Sequence, residues 1–168
     1  ASEKSTEDFK EILLEGYGPH GIAILVEAAT DNNNRTVANI RSYFNKCDGN
    51  LATSGSVDFL FNHLCFFQIR DEGLDIEELE LDLIDFGVTD LSKSESEISI
   101  TAKFENFGSL QKELERRKFD IISSEFEREA ITLKDLSEDE IIKVEKLINM
   151  VDEDDDVQNV YHNMKSDN

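Results

Sequence analysis

Basic charge is scarce in this 168-residue chain, with 17 Lys and Arg against 38 Asp and Glu and a formal charge of −21. Such a surface repels polyanions over about one Debye length, ~8 Å at physiological salt, which excludes most of it as a nucleic-acid or anionic-membrane footprint. Long apolar runs are missing too. None approaches the roughly 20 residues that a membrane-spanning helix needs, and the opening ASEKSTEDFKE has neither the basic start nor the apolar core of a signal peptide. The compartment expected from this is the cytoplasm. Only two cysteines occur, Cys47 and Cys65, both in apolar settings where a free thiol acts as a small hydrophobe, so no disulfide is expected. The chain also lacks a nucleophile elbow, a Walker lysine and a dinucleotide fingerprint. No catalytic residue or cofactor site is assigned, and the chain reads as a non-enzyme. His20, His63 and His162 share no spacing with one another or with the cysteines, which leaves no metal site to propose.

What the chain does contain is unevenly distributed. Residues 1–70 carry 6 basic and 9 acidic residues, whereas residues 71–168 carry 11 and 29. The acid is concentrated in the second part. One stretch, residues 16–56, GYGPHGIAILVEAATDNNNRTVANIRSYFNKCDGNLATSGS, is balanced, with Arg35, Arg41 and Lys46 against Glu27, Asp31 and Asp48. Here alone, over any sizeable length, a phosphate backbone is not repelled.

The elements follow from periodicity. An apolar alternation from Phe9 leads to the glycine-rich GYGPHG, which holds the single proline and turns the chain into 22–26, an unbroken apolar strand of the kind covered on both faces. A phosphate-binding loop is the sharper reading of GYGPHG, but such loops open a helix and this one opens a strand. The polar DNNNRT caps an amphipathic helix over 36–46 with Val37, Ile40, Phe44 and Cys47 inward. A small-residue loop over 48–56 precedes two strands, 57–61 and 64–69, read as a hairpin turning at Asn62 and His63. A boundary is expected near 70–73. Next come a helix ending at Gly87, strands over 88–91 and 98–104, a helix through Leu110 and Leu114, and a strand over 119–126. Ser137 and Glu140 form a capping box for a long last helix, and Val157, Val160 and Tyr161 make a closing strand. The fold class is α+β, two small ferredoxin-like α/β-sandwich units, the second inserted into the first. The first unit is expected over 9–70 plus 131–164 and the inserted one over 71–130, with 1–8 and 165–168 as flexible ends.

Arg35, Arg41 and Lys46, with Asn39, Ser42 and Asn45, are expected on the outer face of the 36–46 helix. That face reads equally as a solvated helix side and as a phosphate-contacting surface. Tyr17 and Tyr43 are the candidate stacking aromatics. The acids of 152–156 lack the alternating spacing, glycine and closing Glu of a calcium loop, so a solvated helix end is the better account.

Two segments carry a resemblance. EGYGPHGIAILVEAATDNNNRTVANIRSYFNKCDGNLATSGSV resembles the signature region of the YebC family, and DDDVQNVYHN resembles its C-terminal signature; the likeness covers essentially the whole chain. It implies the second and third family domains, the third inserted in the second, without the family's basic helical first domain. It further implies a DNA-binding transcriptional regulator, or a translational activator associated with ribosomes, with DNA or ribosomal RNA and ribosomal proteins as partners. Residues carried over from the motif are Tyr17, Asn34, Arg35 and Thr36, joined by Arg41 and Lys46 on charge. A protein-binding module using the acidic domain and a small-molecule sensor using the GYGPHG turn are the competing classes.

Overall fold

The computed structural model describes residues 8–165; of the expected flexible ends, 1–8 and 165–168, residues 1–7 and 166–168 lie outside the described residues, and Lys165 N–H is bonded to Lys134 O at 2.9 Å. In chain order the elements are β1 (Lys10–Tyr17), β2 (Ala23–Thr30), α1 (Asn33–Lys46), β3 (Asn50–Ala52), β4 (Phe61–Arg70), α2 (Ile76–Leu83), β5 (Val88–Ser94), β6 (Glu97–Lys103), α3 (Phe107–Arg116), β7 (Ile121–Ala130), α4 (Glu138–Asp152) and β8 (Val157–His162). They form two four-stranded antiparallel sheets, β3-β1-β2-β8 and β5-β6-β4-β7, in two units that divide after Phe61 and again before Ala130.

In the first unit, GYGPHG makes the expected turn. Gly18 N–H donates to Ile22 O at 2.8 Å, His20 and Gly21 take positive φ, and β1 pairs with β2 from Lys10↔Thr30 to Tyr17↔Ala23. The continuous apolar run of β2 is buried on both faces. Ile22, Ile24 and Val26 pack with Ile40 and Phe44 of α1 and with Val144, Leu147 and Val151 of α4. Ala23 and Leu25 pack with Val57 and Phe61 on the other side. Each large side chain so buried contributes about 1.5–3 kcal/mol. The capping box opens α4 as its sequence dictates: Glu140 N–H donates to Ser137 Oγ at 3.3 Å and Ser137 N–H to Glu140 Oε1 at 2.9 Å.

Two expectations are corrected here. Residues 57–61 do not form a strand, and β4 is not half of a local hairpin. The reason is Glu15, which is buried and accepts the backbone N–H groups of Gly55, Val57 and Asp58 at 2.7, 2.9 and 2.9 Å. With those donors turned to a carboxylate the segment cannot enter a ladder, and Asp58–Leu60 closes a 3-10 turn instead. The chain then runs straight from Phe61 to Arg70, pairing with β6 from Leu64↔Lys103 to Arg70↔Glu97. The expected break near residue 70 therefore lies at Phe61. The 48–56 loop also contains a short strand, β3, paired to β1.

Moving β4 into the second unit gives that unit the path β4-α2-β5-β6-α3-β7, the βαββαβ order of a ferredoxin-like fold. The first unit reaches the same layering by a different path, with α4 and β8 returning to lie against β2. The second core is Cys65, Phe67 and Ile69 of β4, Ile98, Ile100 and Ala102 of β6, and Leu79, Leu83, Leu110 and Leu114 from the helices. Both cysteines are free and buried.

Removing the Glu15 carboxylate leaves buried amides unsatisfied, so Glu15→Ala should lower stability by roughly 2–4 kcal/mol, read from denaturant unfolding, with Glu15→Gln costing less. A second prediction concerns α3. Glu113 is clamped by Arg116 and Arg117 at 2.6 and 2.7 Å, and these hydrogen bonds pull its carboxyl down to about 2. A depressed carboxylate stabilises the fold above its unfolded value, about 4.3, and that contribution is lost as pH falls toward the folded value. Glu113→Gln should flatten the decline of the urea midpoint on acidification over this window while leaving the neutral-pH fold intact by circular dichroism.

Candidate nucleic-acid interface

The polar knuckle DNNNRT lies between the end of β2 and the first turn of α1. Asn32 is the N-cap, its side chain accepting from Arg35 N–H at 3.1 Å. Thr30 Oγ1 receives Asn32 N–H at 3.0 Å and lies 2.7 Å from Thr36 Oγ1, whose own hydroxyl donates to Asp156 Oδ2 at 2.7 Å. Thr30, Thr36 and Asp156 are all buried. Arg35 Nη2 completes the group, 3.1 Å from both Asp31 Oδ1 and Asp156 Oδ2, and these hydrogen bonds raise its pKa further above the ordinary arginine range. Asp156 comes from the loop between α4 and β8. The acids of 152–156 thus differ among themselves: Asp156 is an internal anchor, and Asp154 Oδ2 accepts the Tyr43 hydroxyl at 2.7 Å, pushing that phenol up to about 12. The reading of a wholly solvated helix end is corrected by these two residues. Neither was marked by spacing; the only available signal was the need of a buried Thr36 hydroxyl and a half-covered Arg35 for a distant acceptor.

The six candidate residues, four from the motif and two from charge, therefore part company. Thr36 is sealed inside and touches no solvent, which removes it from any contacting surface. Arg35 is neutralised by two carboxylates. Asn34 is exposed on the first turn and, by the i, i+4, i+7, i+11 spacing, shares a stripe with Ala38, Arg41 and Asn45. Arg41 and Lys46 are exposed, and among the described residues neither is held in an ion pair. With Ala38, Ser42 and Asn45 they line a shallow groove of about 440 Å³. Tyr17 is partly exposed beside Asn50 across the β1–β3 ladder, and by strand alternation its ring lies on the sheet face away from α1, since Leu14 and Gly16 are the β1 residues that face α1. Gly49 packs there so closely that a Cβ would come within 2.6 Å of Tyr17 O. The opposite flank of α1 is acidic. Arg35, Asn39 and Tyr43 face Glu153, Asp154, Asp155 and Asp156 across a depression of about 480 Å³. One helix thus presents a cationic side and an anionic side. Among the described residues no group of His, Cys, Asp and Glu is arranged to hold a metal ion, and no helix is long and apolar enough to cross a membrane.

A two-unit α+β protein with a ferredoxin-like insertion and this knuckle is the class defined by fold and site. Its family follows from comparison: the family description "TACO1/YebC second and third domain" matches residues 9–164, and the chain belongs to that family. A protein of Flavobacterium johnsoniae named "Probable transcriptional regulatory protein" is 60% identical over 99% of this chain and 70% of its own length. A Myxococcus xanthus protein of the same name is 45% identical over 98% of this chain and 70% of its own. The crystal structure of a conserved hypothetical protein from Aquifex aeolicus superposes with a TM-score of 0.67 at 32% identity, over 98% of this chain and 68% of that one.

Asp156→Ala should destabilise by roughly 2–3 kcal/mol, since it strands the buried Thr36 hydroxyl and removes the inner pairing partner of Arg35. Arg35→Ala should cost less, because its head is 45% exposed and the remaining groups stay bonded to one another. Equal unfolding midpoints for the two variants would refute this ordering.

Proposed function

We propose that the chain is the nucleic-acid-contacting part of a non-enzymatic regulator of gene expression, acting on DNA through the outer face of α1. What carries the reading is one observation: Arg41 and Lys46 are exposed and, among the described residues, outside any ion pair, on a helix of a chain whose charge is otherwise strongly negative. Ser42, Asn45 and Asn34 supply hydrogen-bonding groups on the same side, able to bond phosphate or sugar oxygens. The names of the bacterial relatives support a transcriptional role. The translational alternative uses the same face with ribosomal RNA as its target, and ribosomal proteins then stand nearby. Arg35 and Thr36 serve the reading indirectly, by holding α1 on the sheet.

The test is fluorescence anisotropy with duplex DNA over a range of salt. Arg41→Ala/Lys46→Ala should weaken binding about tenfold at low salt and reduce the magnitude of the log–log salt slope by about 1–2, as expected for two lost phosphate contacts. Lys112→Ala, in the second unit, should leave the slope unchanged. If the double variant binds with the parental slope, the α1 face is not the interface. Preference for ribosomal RNA over duplex DNA at matched salt would select the translational target.

A further inference from the structure

We propose that the second unit carries a docking surface for a cationic amphipathic segment of another protein, formed by the outward face of α2. The unit stands on its own sheet and core, so this is independent of the α1 reading. Helix α2 turns Leu79 and Leu83 into the core. On its opposite side Leu81 and Ile84 are 73% and 61% exposed, one turn apart, so their side chains form one apolar ridge. Glu77 extends the ridge toward the N-terminus, Glu80 flanks it on one side, and Glu78 and Asp85 flank it on the other.

The occupant follows from charge. Between Arg70 and Lys93 the sequence holds nine acids and no Lys or Arg. Two cations from elsewhere in the unit reach acids of this stretch and are engaged there: Lys93 is bound to Asp71 at 2.9 Å, and Arg117 to Asp82 and Glu113 at 3.2 and 2.7 Å. A nucleic acid or an anionic membrane is repelled by this rim. A second copy of the chain would bring the same acids against themselves. What fits is a helix or strand with aliphatic side chains on one stripe and Lys or Arg beside it: the stripe covers Leu81 and Ile84, and the flanking cations meet Glu77, Glu78, Glu80 and Asp85. Aliphatic ends exposed to this degree cost solubility, which the surrounding acid offsets until a partner covers them.

The experiment is a titration of the isotopically labelled full chain, followed by backbone amide shifts, with a synthetic helical peptide bearing Leu on one stripe and Lys on its flanks. A control peptide has the Leu positions changed to Gln at the same charge. The expected result is saturable binding with shifts concentrated at residues 77–86, affinity that falls with salt, and binding at least about tenfold weaker for the control peptide and for Leu81→Gln/Ile84→Gln. Because both side chains are exposed, the double variant should keep the parental amide spectrum away from α2. Glu77→Gln/Glu80→Gln provides a second variant, expected to weaken binding and shallow its salt dependence. Four results would overturn the proposal: equal binding of the Gln control, shifts scattered over the acids of both units, the same amides moving on addition of duplex DNA, or the same amides moving as the chain's own concentration is raised.

Discussion

The corner at which β2 passes into α1 depends on one carboxylate taken out of water, that of Asp156. Its side chain receives Thr36 and Arg35 from the first turn of α1, and its main-chain oxygen accepts Ala29 N–H at 2.9 Å near the end of β2. One residue near the C-terminal end thus fixes the corner at which strand passes into helix more than a hundred positions earlier. The β2–β8 ladder is irregular close by, its register shifting between Glu27 and Ala28. A slip of one residue there would carry Val160 and Tyr161 to the wrong faces, and the buried acid accepts its donors in one register only. A buried ion pair adds little net stability over an apolar replacement; its contribution at this corner is specificity of docking.

That anchor also decides which charges remain for a ligand. Arg35 is the most conspicuous cation of the knuckle, yet its hydrogen bonds are made inward and its charge is balanced twice over. The second unit shows the same economy. Arg70 is held by Asp120, Arg116 and Arg117 by Glu113, and Lys93 by Asp71. An arginine counted in a sequence is therefore a poor measure of potential at a surface. Arg41 and Lys46 stand apart because, among the described residues, neither is held in an ion pair.

Most of the element order was legible, since it rests on local patterns. The two-sided burial of β2 follows from an apolar run, α1 from its i, i+3, i+4, i+7 hydrophobes, and the start of α4 from Ser137 and Glu140. What was not legible depended on long-range partners. Residues 57–61 have the composition of a strand, and only Glu15, more than forty positions away, diverts their amides. The placement of β4 failed for the same reason, because a strand's neighbour is chosen by tertiary packing and not by the turn beside it. At the site, exposure of Arg41 and Lys46 followed from helical phase, whereas the burial of Thr36 and the neutralisation of Arg35 required knowing where Asp156 lands.

The two flanks of α1 lead to a further point about affinity. The helix with its side chains is only about 10–12 Å across, close to the Debye length at physiological salt, so the Glu153–Asp156 flank is felt by any anion approaching Arg41 and Lys46. More distant acids are largely screened. Two free cations beside four carboxylates give weak attraction to phosphate in general and leave little affinity for featureless polyanion. Under the proposed reading, binding of useful strength comes from groups that need a particular geometry, the amides of Asn34 and Asn45 and the hydroxyl of Ser42. Repulsion from the acidic flank is the same for every phosphate chain and cancels in the ratio of affinities, so in that reading discrimination rests on these geometric contacts and charge sets only the overall strength.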